Sequence, residues 1–516
     1  MHTVYDLVRL SAARTPDHPA IVDDRTDRAL TYRALMAEID ALARGFRMHG
    51  VESGDIVATV LPNVYEHALS LLALHRLGAV PALVNPRLKP EEIAELIKRG
   101  RMKGVVSLSA ASLVAAIRNA LPASAPVVTV GGAADGAIDF ARVRASDSGA
   151  LPPFGCVPDD PAFIFHTSGT TGLPKGVIIS HAATDGRLLY MATQCGVRHG
   201  THNRALGLMP LFHVVGFYSV LMTMLAFNGT YHVVSAFDPA AAMDAIERHK
   251  ITLLYGAPTH FHALLSAPNF AESRIASVKD VVYAGAPMPG PLLDKVGAAF
   301  RHAHITNIYG TTEIMNALYM PDPVGRPHLY RPGFYSDVRV GKFGGSVHDI
   351  AAVGEEGELL VDTAAPATFS GYLNRPDATA EKVQDGWYRT GDIIVRRPDG
   401  DFEVRGRVDD MILSGGENVH PDEIESLLLK HPKVKEVAVI GLPDERWGEA
   451  VTACIVSDDL GLNGDILDRF CRDSTLANFK RPRRYAFVAE IPRNAANKTL
   501  RRELRQRLIA ERAEKV

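Results

Sequence analysis

The chain is poor in cysteine. Its four, Cys156, Cys195, Cys454 and Cys471, are spread over 516 residues with no CxxC pair. That spacing excludes a disulfide framework or a cysteine-ligated zinc, and it fits a reducing compartment, the cytoplasm. Charge of one sign is also missing. A formal net charge of −3 provides no general basic surface for nucleic acid or an anionic membrane. No secretory leader is expected, because Asp6 interrupts MHTVYDLVRLSAARTPDHPAIV before an apolar core can form. Ala205 to Phe237 carries no Lys, Arg, Asp or Glu, but Pro210, His213, Asn228, Gly229 and His232 break it up. It therefore predicts a buried helix and a strand rather than a membrane span. There is no internal repeat and no low-complexity linker.

What is present is an ordinary globular composition, 47% apolar and 22% charged, in a chain too long for one core. Short β-rich runs such as DIVATVLP, GVVSLS, APVVTV, AFIFHTS, GTYHVVS, ITLLYGAP and DVVYAGAP alternate with helical patterns such as YRALMAEIDALARGFRMHG and KPEEIAELIKRG. That alternation predicts an α/β fold with largely parallel sheets covered by helices. From about Gly341 short strands and Asp-Gly turns predict a smaller β unit. A compact α+β tail follows, with helices expected at Asp422–Leu429 and Gly464–Ser474. The junction is expected near Gly406–Asp410, giving domains 1–408 and 409–516.

The segment FIFHTSGTTGLPKGVIISH places glycines, hydroxyls and one lysine between two strand-like runs. Amides freed by glycine can converge on phosphate oxygens, and Lys175 adds a cation. A plain Gly-Thr turn in a hairpin is the alternative. The order is not that of a Walker A loop, since Gly176 and Val177 follow the lysine.

TSGTTGLPKG resembles the signature loop of the adenylate-forming superfamily of acyl-CoA synthetases, adenylation domains and luciferases. NIYGTTE, GWYRTGD, GRVDDMILSGGENVHPDEIE and IPRNAANKTLRREL extend the resemblance in order along nearly all of the chain. It implies a large N-terminal domain of two α/β subdomains plus a β subdomain, and a small mobile α+β C-terminal domain. It also implies two half-reactions: a carboxylate attacks ATP to give acyl-AMP, then a thiol displaces AMP. Thr167, Ser168, Gly169, Thr170, Thr171, Gly172 and Lys175 would hold the β- and γ-phosphates. Glu313, with Thr167 as a second oxygen donor, would hold Mg²⁺, and Thr312 would touch the α-phosphate. Gly285, Ala286, Tyr309, Gly310 and Thr311 would surround the adenine, while Asp392 and Arg407 would reach the ribose. Lys498 would neutralise charge between carboxylate and α-phosphate. Asn497 stands before it where the family has glycine. Asp409 would be the hinge on which the tail turns between half-reactions.

The same resemblance implies coenzyme A as acceptor, with Trp447 and Phe479 near its adenine and Arg87 and Arg481 near its phosphates. Gly415 and Gly416 would flank the pantetheine. An aryl-acid enzyme loading a carrier protein, or a non-catalytic sensor, remains as an alternative. The chain resembles most closely the 4-chlorobenzoate–CoA ligases of the benzoate–CoA ligase group, non-catalytic stretches included. The acid slot would then comprise Tyr190, His213, Val214, Val215, Tyr255, Ala284, Ile308, Gly310, Met315 and Asn316, with His213 as a gate. Tyr190 and Tyr255 stand where that group has phenylalanine. Benzoate, 4-hydroxybenzoate, cyclohexanecarboxylate and cinnamate therefore stay open beside the chlorinated acid. A monomer or homodimer without nucleic-acid or membrane partners is expected.

Overall fold

The computed structural model describes residues 2–26, 28–146, 149–167, 174–414, 417–474, 476–493 and 499–513. Two large sheets carry the first part of the chain. In the eight-stranded sheet, Val80–Leu83, Ile56–Val60, Gly104–Leu108 and Val127–Val130 lie side by side in parallel. Their side chains are almost all buried, as expected of strands covered on both faces. Pro161–Thr167 continues this sheet, and Lys175–Ser180 folds back on it antiparallel.

The nine-stranded sheet has Arg204–Leu206, Leu253–Gly256, Asp280–Ala284 and His304–Tyr309 as parallel neighbours. Helices start where the sequence supplies caps. The Thr31 hydroxyl accepts from the Ala34 amide to open Tyr32–Met48, and Asp238 does the same for Pro239–His249 with a proline in the first turn. Their apolar faces cover the sheets, and one hydrophobic cluster runs between both sheets.

An antiparallel unit of Val338–Gly341, Glu356–Asp362, Trp387–Arg396, Val383–Gln384 and Phe402–Arg407 follows. It begins slightly before the expected Gly341. A short 3₁₀ turn, Val408–Asp410, leads to a separate sheet built on the long hairpin Glu436–Asp444 and Gly448–Val456. That sheet packs with Pro421–Leu428, Gly464–Arg472 and Arg501–Ala513, so both expected tail helices form with ends shifted by one or two residues. The architecture is α/β with a β unit and a small α+β tail.

The charge-free stretch holds a surprise. Val215–Met222 is a π-helix, continued by Thr223–Ala226 and then by the strand Thr230–His232. Among the described residues, no helix is long and apolar enough to cross a membrane.

Candidate functional site

Strands of the nine-stranded sheet end together, and ligands of open parallel sheets sit beyond such carboxyl ends. Asp280–Ala284 runs into Gly285, which has φ +87° and open space where a Cβ would stand. Gly285 and Ala286 are exposed, leaving a ledge for a flat ring.

His304–Tyr309 runs into the Gly310–Asn316 turn. A Cβ on Gly310 would stand 1.9 Å from the Met315 carbonyl oxygen, so only glycine fits this fold-back. Met315 itself takes a left-handed φ of 57°. The turn is pinned from behind by Arg187, whose side chain is wholly buried. Its Nη2 donates to the carbonyls of Thr312 at 3.0 Å and Glu313 at 3.3 Å. Burial pulls the guanidinium down to about 10, so it stays charged at neutral pH. The Glu313 side chain is buried, and Oε1 accepts from the Tyr372 hydroxyl at 2.7 Å. The Lys175 ammonium lies 5.1 Å from the centroid of the Tyr372 ring. Thr167 pairs with Lys175 across the hairpin, which fixes both ends of the glycine-rich connection. Ser168, Gly169, Thr170, Thr171 and Gly172 lie outside the described residues.

Asp392 is buried on Trp387–Arg396. Its carboxylate accepts from the Tyr309 hydroxyl and, at 3.0 Å, from Arg407, its cross-strand neighbour. Burial and the Asp392 carboxylate raise the Tyr309 phenol well above its ordinary value. Tyr309, expected beside the adenine, is tethered by its hydroxyl.

Of the ten expected slot residues, Tyr190, Val214, Tyr255, Ala284, Ile308 and Met315 belong to one hydrophobic cluster. Register places Tyr255 beside Val282, Val282 beside Thr306, and Ala284 beside Ile308, all on the same face. Tyr190, Val214, Tyr255, Ala284, Ile308, Met315 and Asn316 are buried, and His213 and Val215 partly so. Burial and the Arg87 cation lower the His213 ring to about 4, so it is neutral at physiological pH. The two tyrosine hydroxyls find partners within the protein. That of Tyr190 donates to Ser219 Oγ at 2.5 Å, and Tyr255 is within hydrogen-bonding reach of both.

The tail is less simply arranged. Trp447 sits in the turn of the long hairpin, with the Arg483 and Arg446 guanidiniums 4.7 and 4.9 Å from its ring. Phe479 is 39% exposed, free enough to meet a ligand. The basic run FKRPRRY is not an open patch. Lys480 pairs with Glu423 at 2.6 Å, Arg484 with Asp444 at 2.5 Å, and Arg481 with Asp468. Arg87 is exposed on the N-terminal side, close to His213. Gly415, Gly416 and Lys498 lie outside the described residues, as does the side chain of Asp409 in the 3₁₀ turn. Arg501 is held by Asp410 at 3.1 Å, Asp422 at 3.1 Å and Glu425 at 2.8 Å.

Sequence reasoning missed Arg187, Tyr372, Ser219 and Gln194. Only Arg187 left a signal, a lone cation among the buried positions of Ala183–Thr193.

Residues 8–373 match the family model for AMP-binding enzyme, and residues 423–498 that for the AMP-binding enzyme C-terminal domain. A 4-chlorobenzoate–CoA ligase of Arthrobacter sp is 46% identical over 516 residues, 100% of this chain and 97% of that protein. Its counterpart in Pseudomonas sp. (strain CBS-3) is 43% identical over 99% of this chain and 95% of that protein. The solved o-succinylbenzoate CoA synthetase of Bacillus subtilis, in complex with its acyl-adenylate intermediate, matches with TM-score 0.85 and 25% identity over 98% of both chains.

Proposed function

The chain belongs to the AMP-binding enzyme family, and from that premise we propose that it is an aromatic acid–CoA ligase acting in the cytoplasm. The acid carboxylate attacks the α-phosphate of ATP and pyrophosphate leaves. The CoA thiol then attacks the acyl carbonyl and AMP leaves. The observation that carries the reading is that buried, largely apolar side chains (Tyr190, Val214, Tyr255, Ala284, Ile308 and Met315) lie near two buried carboxylates, Glu313 in the turn after His304–Tyr309 and Asp392, which accepts from the Tyr309 hydroxyl.

The first step needs aligned reactants and compensated phosphate charge more than it needs a base. Glu313 is a hard oxygen donor that suits Mg²⁺, an ion usually held by one or two carboxylates plus substrate phosphates. Bound there, the ion would neutralise phosphate charge. Thr167, Lys175 and the residues between them grip the outgoing pyrophosphate, and Thr312 contacts the α-phosphate. Asp392 exchanges its present partners, Tyr309 and Arg407, for the ribose hydroxyls or shares them. Gly285 and Ala286 make room for adenine. Neutral His213 adds no charge at the slot entrance, and Lys498 is assigned to the acid carboxylate and α-phosphate. For the second step the tail, residues 409–516, turns about Asp409. Trp447, Phe479 and Arg87 then meet CoA, and Gly415 and Gly416 let the pantetheine pass. Arg481 must loosen from Asp468 to join them.

The test is release of pyrophosphate and AMP with ATP, Mg²⁺, CoA and a panel of benzoates, cyclohexanecarboxylate, cinnamate and octanoate. CoA-dependent AMP release with a benzoate, abolished in Lys498→Ala, is expected. Turnover only with octanoate would remove the aromatic reading. AMP release that needs a carrier protein instead of CoA would favour the carrier-loading enzyme.

A further inference from the structure

The acid slot has two chemically different ends. Ala284 and Ile308 sit two residues nearer the carboxyl ends of their strands than the Tyr255–Val282–Thr306 row. Two residues of strand span about 6.6 Å, comparable to a single ring with its carboxylate. A ring lying over the Ala284–Ile308 pair on that face, carboxylate toward the Gly310–Glu313 turn, therefore points its far edge at the Tyr255 row.

That row is polar. The hydroxyls of Tyr190, Ser219 and Tyr255 form one cluster. Thr306 donates to the Gln194 carbonyl, and the Asn316 Nδ2 donates to Gln194 Oε1. The other amide atom of Asn316, Oδ1, has no hydrogen-bonding partner, although the residue is only 6% exposed. Exchanging the two atoms of that amide leaves one polar atom unpartnered in either assignment. A buried polar atom without a partner is destabilising, so a ligand group that pairs with it is favoured. Each hydroxyl of the cluster also has more lone pairs than protons, so the floor offers chiefly acceptors. Chlorine cannot donate to an acceptor, whereas a ring hydroxyl can, and it can accept in return.

Resting on the aromatic acid–CoA ligase reading, we propose that the physiological acid is a hydroxybenzoate. Its para or meta hydroxyl is read by Asn316 and by the Tyr190–Ser219–Tyr255 cluster. These are specificity residues remote from the reacting carboxylate.

The test compares kcat/KM for pyrophosphate release with benzoate, 4-chlorobenzoate, 3-hydroxybenzoate and 4-hydroxybenzoate. One hydroxybenzoate should exceed both benzoate and 4-chlorobenzoate by about tenfold or more, since a site that hydrogen-bonds a hydroxyl discriminates strongly against analogues lacking it. In Asn316→Leu, Ser219→Ala and the double variant Tyr190→Phe with Tyr255→Phe, the hydroxy-to-chloro ratio should fall toward one. If Asn316→Leu does not fold, Ser219→Ala and the double variant carry the comparison. Turnover of 4-chlorobenzoate or benzoate at or above both hydroxybenzoates overturns the inference and leaves the ligase reading standing. A hydroxy-to-chloro ratio unchanged in the folded variants also overturns it. No pyrophosphate release with any acid overturns both readings.

Discussion

Replacing Arg187 with methionine isolates what holds the Gly310–Asn316 turn. The guanidinium serves two carbonyls. That of Glu313 also accepts from the Phe369 amide at 2.7 Å and keeps a partner, whereas among the described residues no other donor reaches the Thr312 carbonyl. Leaving it unsatisfied costs about 1–3 kcal/mol. Against this, methionine fills much of the same volume and removes a buried charge whose desolvation costs several kcal/mol. The two terms offset, so Tm should move by only a few degrees. Position is not offset in the same way. Thr312 and Glu313 lose the anchor that sets their distance from the phosphates, and a misplacement of about 1 Å can cost about 100-fold. That misplacement, not the carbonyl's lost partner, sets the expected range of about 10- to 100-fold. The assay is pyrophosphate release at saturating acid, with CoA capture of acyl-adenylate measured separately. Adenylation should fall by about 10- to 100-fold, and thioester formation by much less. Arg187→Lys should restore part of it, because both carbonyls accept from the single nitrogen Nη2 and an ammonium carries three donors. Adenylation within twofold of the parent at unchanged Tm would refute the reasoning. So would a loss that merely follows a collapse in Tm.

Tyr372→Phe removes the hydroxyl that donates to Glu313, a charge-assisted bond of about 1.5–3 kcal/mol. Pyrophosphate release should fall about tenfold or more, which a Mg²⁺ titration of initial rates will quantify. Gly310→Ala drives a methyl group into the Met315 carbonyl, so adenylation should be lost and Tm lowered in a thermal melt. Acid should unfold the chain unusually early. Burial holds His67 and His166 at about 4 against an ordinary 6.5, so the folded state keeps them neutral while the unfolded state takes up protons. Their contribution is complete above pH 6.5 and is lost as pH falls toward 4, at about 3 kcal/mol each below both values. His166→Gln should flatten the slope of stability against pH by up to one proton in that window, as read by urea unfolding at stepped pH.

The sheets and most helices were legible because period and capping agree along the sequence, as at Thr31 and Asp238. The carboxylates Glu313 and Asp392 were legible because each sits in a motif. Arg187 was not, because its partners lie 125 and 126 residues further on. Ser219 was hidden for a different reason: the π-helix breaks the 3.6-residue period from which facing side chains are inferred. The basic run read as an anion site because its acids are remote. Glu423 is 57 residues from Lys480, and Asp444 is 40 from Arg484.

The helix Ala183–Thr193 carries Arg187 and Tyr190 one turn apart, as neighbours three residues along its surface. Arg187 on that helix braces the turn bearing Glu313, and Tyr190, one turn on, would form part of the wall of the proposed acid site. The helix therefore works as a gauge. A ring of the wrong outline that presses on Tyr190 tilts the same rigid body that sets the catalytic turn. Misfit is then registered as slow chemistry on a bound acid, not only as weak binding. For an acid seated as proposed, selectivity would lie in turnover, and a screen scored by affinity alone would rank its substrates wrongly.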